Sequence, residues 1–267
     1  MKFSILIAYY NNYRYFKACY DSILMQTYQN YEIIIVDDKS TDGSLDEVKI
    51  LTQNNPRVFI HENSENKGVG YTKRKCVEVA TGEICGFVDP DDKIIESAVE
   101  DSINAYTKNV VATYSQLYEC DENLNIKHIF PNTKKISPKN YMFFNVRFEI
   151  AHFFTFKREA YLQTSGINEN YLTAEDQDLI LKIYEIGPIL FIPKALYLYR
   201  VHSKGLSHNR KKMSIKKQNW HDAIRCALQR RGIEMLYGQE VKTIINLPDF
   251  IFKKQNTILN SILRKFR

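Results

Sequence analysis

A chain of 267 residues, 44% hydrophobic and 25% charged, has room for one large α/β domain, or one domain with a short appendage, and its balance excludes wholesale disorder. No apolar run approaches the roughly 20 residues of a bilayer-crossing helix, and five dispersed cysteines argue against a disulfide framework or a zinc cluster. The net charge of +6 is held unevenly: residues 201–267 carry 15 Lys+Arg against 4 Asp+Glu, while the first 200 carry 22 against 27.

In chain order, Phe3–Ala8 is a buried first strand rather than a secretory leader, because the apolar block is short and lacks a small-residue cleavage site. Tyr31–Val36, Val58–His61 and Ile84–Val88 are further short apolar runs, as expected of strands buried on both faces of a mainly parallel sheet. Between them, Tyr13–Gln26, Ser44–Gln53 and Tyr71–Ala80 carry apolar residues at helical spacing, with Gly82 as a stop after the third. The alternation predicts right-handed crossovers and an open, doubly wound α/β sheet. Val110–Tyr118 and Ile126–Phe130 flank the turn Asp121-Glu122-Asn123 and predict a hairpin. Ala174–Ile186 is a helix with an apolar stripe of Leu179, Ile180, Ile183 and Ile186, ended by Gly187-Pro188. Ile189–Ile192 and Leu196–Val201 follow as two short strands, so the sheet is mixed but mostly parallel. Residues 206–267 form a basic, mostly helical C-terminal extension, whose amphipathic end (247–267) either packs on the body or lies on an anionic membrane surface.

In an open α/β sheet, ligands bind beyond the carboxyl ends of the strands. The first strand runs into Tyr9-Tyr10-Asn11-Asn12, the second into Asp37-Asp38, and the fourth into Asp89-Pro90-Asp91-Asp92. Three carboxylates within four residues beside a buried strand are costly unless a cation neutralises them, and Mg²⁺ or Mn²⁺ with oxygen ligands is the natural one. An acidic helix N-cap is the competing explanation. Asn66-Lys67-Gly68-Val69-Gly70 is neither a dinucleotide fingerprint nor a Walker loop. The cations Lys73-Arg74-Lys75 run against the dipole of their helix, which an anionic partner, either a diphosphate or the acidic cluster, would explain.

Together these stretches resemble a family 2 glycosyltransferase of the GT-A fold. The matching segments are FSILIAYYNN, SILMQTYQNYEIIIVDDKSTDGS, NKGVGYTKRKCVEVATGEICGFVDPDD, GINENYLTAEDQDLILKI and LYRVH, in the family's order from residue 3 to about 202. The resemblance implies a catalytic domain over 1–205, with a nucleotide-binding half to about residue 92 and an acceptor-binding half over 93–205. It implies that Ala8, Tyr10 and Asp38 contact the base, that Arg74 lies near the diphosphate, and that Lys67, Asp89 and Asp91 bind the nucleotide. Asp91, Asp92 and His202 would surround Mn²⁺ or Mg²⁺, and the first two are not separable as ligands from sequence. Asp176 would be the general base, with Glu175 and His152 on the acceptor side; the competing role for Glu175 and Asp176 is to favour a helix N-terminus.

The implied reaction is inverting transfer of a sugar from a UDP-sugar to a glycan or lipid-linked glycan, in bacterial surface polysaccharide synthesis, with no nucleic-acid partner. The expected place is the cytoplasm, or the periphery of the inner membrane face, and Ser203 to Lys212 would form a lid. Two other classes stand beside this one. A sugar-1-phosphate nucleotidyltransferase would carry a basic, glycine-rich loop after the first strand, where this chain has Tyr9-Tyr10-Asn11-Asn12. A catalytically silent nucleotide-sugar or glycan-binding module would not need Asp176.

Overall fold

The computed structural model describes residues 1–137, 140–203, 205 and 213–256. The expected alternation opens the chain: β1 (Phe3–Tyr9), α1 (Tyr13–Leu24), β2 (Tyr31–Asp37), α2 (Ser44–Thr52), β3 (Val58–Glu62), α3 (Val69–Val79) and β4 (Ile84–Phe87). Then follow β5 (Lys93–Ile94), α4 (Ala98–Asn104), β6 (Ala112–Cys120), β7 (Ile126–Ile129), β8 (Thr155–Lys157), α5 (Arg158–Leu162), α6 (Glu175–Ile186) and β9 (Ile189–Arg200). The last described elements are α7 (Met213–Arg230), a small hairpin of β10 (Met235–Leu236) and β11 (Gln239–Glu240), and α8 (Leu247–Gln255).

One sheet runs in the order β3-β2-β1-β4-β8-β6-β9-β5, with β7 paired to β6. The β1–β2, β2–β3, β1–β4 and β6–β9 pairs are parallel, and the others in this sheet are antiparallel. Alternation along β1 divides the core: Phe3, Ile5 and Ile7 meet Phe16, Cys19 and Ile23 of α1 on one face. On the other face, Leu6 joins Cys76 and Val77 of α3 and Leu179, Ile180 and Ile183 of α6. Each of those aliphatic side chains contributes about 1.5–3 kcal/mol by leaving water. The parallel half is thus covered by helices on both sides, as parallel sheets require.

Two expectations are corrected. Val58–His61 is not buried on both faces; β3 is the sheet edge, with Phe59 46% exposed. The two strands expected around Pro193 are one continuous strand, β9, which absorbs the proline through register shifts against Ser115 and Gln116 of β6. A bulge tolerates the missing N–H that a regular ladder would need. Strand β8 was not legible in advance, yet it lies centrally between β4 and β6.

The extension packs on the body over its described length. Ile224, Ala227 and Leu228 of α7 and Leu247 and Ile251 of α8 enclose a third core with Phe144, Val146 and Leu181. Asn246 caps α8 by accepting the Asp249 N–H at 3.1 Å, and Pro248 occupies the first turn, where its missing donor costs nothing. The rest of the amphipathic stretch, 257–267, lies outside the described residues, as does most of the expected lid. Among the described residues no helix is long and apolar enough to cross a membrane.

A buried carboxylate ties the amino-terminal strands together. Glu32 on β2 is 3% exposed and accepts hydrogen bonds from Ser4 Oγ (2.6 Å), Thr81 N (2.7 Å) and Lys2 Nζ. Burial alone would raise its pKa, but these donors outweigh burial and hold it at about 2. Its contribution, about 3 kcal/mol, is present above the ordinary glutamate range and is lost as pH falls toward 2. Glu32→Gln is therefore expected to lower stability by about that amount near pH 7 and to flatten the loss below about pH 4.5; denaturant melts at both pH values check this.

Candidate active site

Tyr9 pairs with Asp37 where β1 and β2 end, and Phe87 of β4 lies beside Leu6, so three strand ends share one edge. Tyr10, 45% exposed, and Asp38 leave the sheet there, together with the acidic turn after Val88. Asp38 is buried and accepts hydrogen bonds from the backbone of Lys67 and Gly68 (both 2.8 Å) and from Asn63 Nδ2 (2.9 Å). It thereby fixes the turn before α3, in which Gly68 takes φ 88°, a value that favours glycine. At Gly70 an added Cβ would meet the carbonyls of Asn168 and Tyr171 at 2.5 Å. These glycines bring α3 against the loop that leads into α6. The Lys67 ammonium rests 4.8 Å over the Tyr71 ring.

Lys73, rather than Arg74, turns into the acidic cluster. Its ammonium is 2.8 Å from Glu175 Oε1 and 3.3 Å from Asp89 Oδ1, and the side chain is 7% exposed. Burial pulls its pKa down, but Asp89, Glu175 and Asp176 together hold it well above the ordinary lysine range. Arg74, one residue on, faces elsewhere: it pairs with Glu78 at 3.1 Å and donates to the carbonyls of Ser165 and Ile167. On a helix, neighbouring residues point about 100° apart, so a shift of one position exchanges the two roles. A cavity of about 370 Å³ opens beside Arg74, Asn168, Asp178 and Lys182, but Lys182 is already bound to Asp178 (2.7 Å) and to Gly166 O (2.6 Å). None of its lining residues belongs to the acidic turn.

The three aspartates of that turn differ in surroundings. Burial pushes the Asp89 carboxyl up, but Lys73 and then His152 outweigh it and keep the group below the usual range. Burial and the neighbouring charge of Asp89 raise the pKa of Asp91, against the pull of His202. Asp91 Oδ2 stands 2.8 Å from His202 Nε2. Asp92 is 1% exposed, with Oδ2 accepting from the Tyr197 hydroxyl (2.8 Å) and Oδ1 from the Arg200 N–H (2.7 Å). Burial first, then Asp91 and Asp89, push its pKa far up. With both oxygens engaged, Asp92 anchors the turn to β9, and Asp91 and His202 are the pair left facing each other.

An oxygen and an imidazole nitrogen so placed suit Mn²⁺ or Mg²⁺, and a cation would relieve the repulsion that raises Asp91. No three His, Cys, Asp or Glu side chains among the described residues form a ready metal cage. An open pair of ligands leaves positions for phosphate and water oxygens, as such cations prefer in phosphate sites.

Asp176 lies in the first turn of α6 beside Glu175, partly exposed. Its Oδ1 accepts the Gln177 N–H at 2.8 Å, and the Gln177 side chain is in turn held by Asn145 at 2.9 Å. Burial raises the Glu175 pKa against the opposing charge of Lys73. His152, expected on the acceptor side, stacks on Tyr197 (4.6 Å between centroids) with Nε2 3.9 Å from Asp89 Oδ2. The cluster therefore unites Asp89, Lys73, Glu175 and Asp176 from α3, α6 and the turn after β4, and leaves Arg74 out. Tyr197, which holds the turn at both Asp89 N and Asp92, had no sequence signal beyond its aromatic strand.

The fold has counterparts among known proteins. The chain is 32% identical over 257 residues to the hyaluronan synthase of Pasteurella multocida, an alignment that takes in 94% of this chain but 25% of that protein. The chain thus spans about a quarter of that relative's length. S. aureus TarS 1–349, solved in complex with UDP-GlcNAc, superposes with a TM-score of 0.71 at 19% identity, over 86% of this chain and 66% of that one. A mannosyltransferase of Pyrobaculum calidifontis, solved with GDP-Man and Mn²⁺, gives a TM-score of 0.64 at 19% identity, over 85% of this chain and 64% of that one. These likenesses establish a fold of the GT-A kind. The sequence profile of the glycosyl transferase family 2 matches residues 4–164, and the chain belongs to that family.

Proposed function

We propose that the chain is the catalytic unit of an inverting glycosyltransferase that moves a sugar from a UDP-sugar to a glycan or lipid-linked glycan during polysaccharide synthesis. The observation that carries this reading is the ion-paired chain from Asp89 through Lys73 to Glu175, which ends beside Asp176. It links a nucleotide-holding carboxylate, a buried cation and a partly exposed candidate base in one cluster. In the reaction, the acceptor oxygen bonds to the anomeric carbon as the bond from that carbon to the phosphate oxygen breaks. The acceptor proton passes to a carboxylate oxygen of Asp176, and the departing electron pair goes to the nucleoside diphosphate.

Ala8, Tyr10 and Asp38 line the base end, Asp89 holds the ribose, and Lys73 takes the diphosphate-neutralising role that the resemblance implies for Arg74. Asp91 and His202 would hold Mn²⁺ or Mg²⁺, which supplies charge stabilisation to the leaving diphosphate when bound. His152, beside Asp89, belongs near the donor sugar. The similarity to a hyaluronan synthase and to proteins solved with UDP-GlcNAc or with GDP-Man and Mn²⁺ supports an activated-sugar donor.

The test is release of nucleoside diphosphate from a panel of UDP-sugars, with oligosaccharide acceptors, in Mn²⁺ and in chelator. Release from at least one donor in Mn²⁺, abolished by chelator, is expected. Silence across the panel would refute UDP-sugar transfer, and release that persists in chelator would refute the role of the cation.

A further inference from the structure

Arg200, the last residue of β9, is 6% exposed and stands where four segments meet. Its backbone N–H donates to Asp92 Oδ1, as described above. Its side chain does something separate. Nε donates to the carbonyl of Asp91, and a terminal nitrogen donates to the carbonyl of Glu122 in the turn between β6 and β7. The guanidinium also lies 4.5 Å over the ring of Tyr15 on α1.

Tyr15 connects this guanidinium to the histidine two residues further along. Its ring contacts the His202 imidazole at 4.7 Å between centroids, and its hydroxyl donates to Glu122 Oε1 at 2.7 Å. Arg14 closes the group with a 3.1 Å ion pair to Glu122. A buried guanidinium is expensive to desolvate, and among the described residues its partners are carbonyls and a ring rather than an ion-paired carboxylate. Strand β9 does not need it, because the backbone N–H already holds Asp92. A lysine could not replace it, since a point charge lacks the planar fork that reaches two carbonyls while stacking on a ring.

We propose that Arg200, acting through Tyr15, is the positioning residue that sets Asp91 and His202 at their mutual distance before a cation or nucleotide arrives. The inference rests on the reading of Asp91 and His202 as the cation-holding pair. The Asp91 carbonyl is fixed from one side of the guanidinium, and the His202 ring is fixed through Tyr15 from the other. The first contact is to the backbone of Asp91 and the second is a ring contact to His202; neither is a hydrogen bond to an atom that would ligate the ion.

The experiment measures Mn²⁺ affinity of the full chain in saturating UDP, by electron paramagnetic resonance of free Mn²⁺, with UDP affinity in chelator and melting temperature recorded beside it. Arg200→Ala, Arg200→Lys and Tyr15→Ala are each expected to weaken Mn²⁺ binding about tenfold or more, with UDP affinity in chelator unchanged. Tyr15→Phe keeps the ring and is expected to bind as the parent does. Should Arg200→Ala fail to fold, Arg200→Lys and Tyr15→Ala carry the test. Parent-like Mn²⁺ affinity in the folded Arg200 and Tyr15→Ala variants overturns the positioning role and leaves the cation reading intact. If the parent itself binds no Mn²⁺ with UDP present, the cation reading fails first and this inference falls with it.

Discussion

Asp176→Asn is expected to lower turnover of a nucleotide sugar by about 10²–10⁴-fold while leaving donor affinity and melting temperature close to the parent's. The substitution is nearly isosteric, and an amide oxygen can still accept the Gln177 N–H that Oδ1 accepts now. Under the proposed mechanism, what it removes is the capacity to take the acceptor's proton as the new bond forms. The surrounding support makes the comparison clean: Gln177 is itself held by Asn145, so the side chain at 176 keeps its place when its charge is lost. Steady-state release of nucleoside diphosphate, with UDP binding by calorimetry, separates the two effects. A variant that retains more than about a tenth of the parent's turnover would remove Asp176 from the role of base, since general-base catalysis contributes at least about 10²-fold. Equal losses of turnover and UDP binding would point to a structural role at the start of α6.

Lys73→Met is expected to have the largest effect on the folded state. The ammonium neutralises two carboxylates, Glu175 at 2.8 Å and Asp89 at 3.3 Å, in a nearly closed environment. Removing one partner of such a buried set leaves uncompensated charge, at a cost of about 3–5 kcal/mol, far more than the pair's net worth against an apolar replacement of the whole. The pH dependence follows from the same physics. Without Lys73, the Glu175 and Asp89 carboxyls lose the charge that opposes the effect of burial, so their folded-state pKa values rise. The folded variant then binds more protons than its unfolded chain, and its stability falls as pH rises. The deficit against the parent should therefore be larger near pH 8 than near pH 5, and denaturant melts at both values measure it. UDP affinity should fall in parallel. Arg74→Ala is the control: its side chain is 35% exposed and already engaged with Glu78, so UDP affinity should change little. A larger loss of UDP binding for Arg74→Ala than for Lys73→Met would give the diphosphate-neutralising role to Arg74.

The exchange between those two residues illustrates what the chain reveals locally and what it withholds. The run Lys73-Arg74-Lys75 announces that a cation at the start of α3 must answer an anion, because such charges oppose the helix dipole. It does not say which of the three turns inward. That depends on the roll of α3 about its axis, which is fixed by Cys76 and Val77 in the core and by the approach of Gly70 to Asn168 and Tyr171. One position is about 100° of helix, so Lys73 faces the acidic cluster while Arg74, the residue the resemblance selects, faces Glu78. The aspartates present the same problem in a turn. Their spacing signals concentrated negative charge, but only β9, arriving from about a hundred residues away, takes Asp92 as an anchor and leaves Asp91 facing His202.

The parallel half of the sheet was written plainly in the sequence, because strands buried on both faces are unbroken apolar runs and their crossover helices are amphipathic. The three strand ends that make the site followed from it, as did the helix that begins at Glu175. Strand β8, the continuity of β9 through Pro193, and the exposure of β3 did not. Three residues of strand carry too little periodicity to stand out, and a proline's tolerance or an edge's exposure is decided by the neighbouring strand. The local pattern therefore determined the elements and the chemical character of the strand-end edge. Only the packed structure decided which carboxylates and which cation meet there, because side-chain pairing across long sequence separations is set by helix roll and strand register.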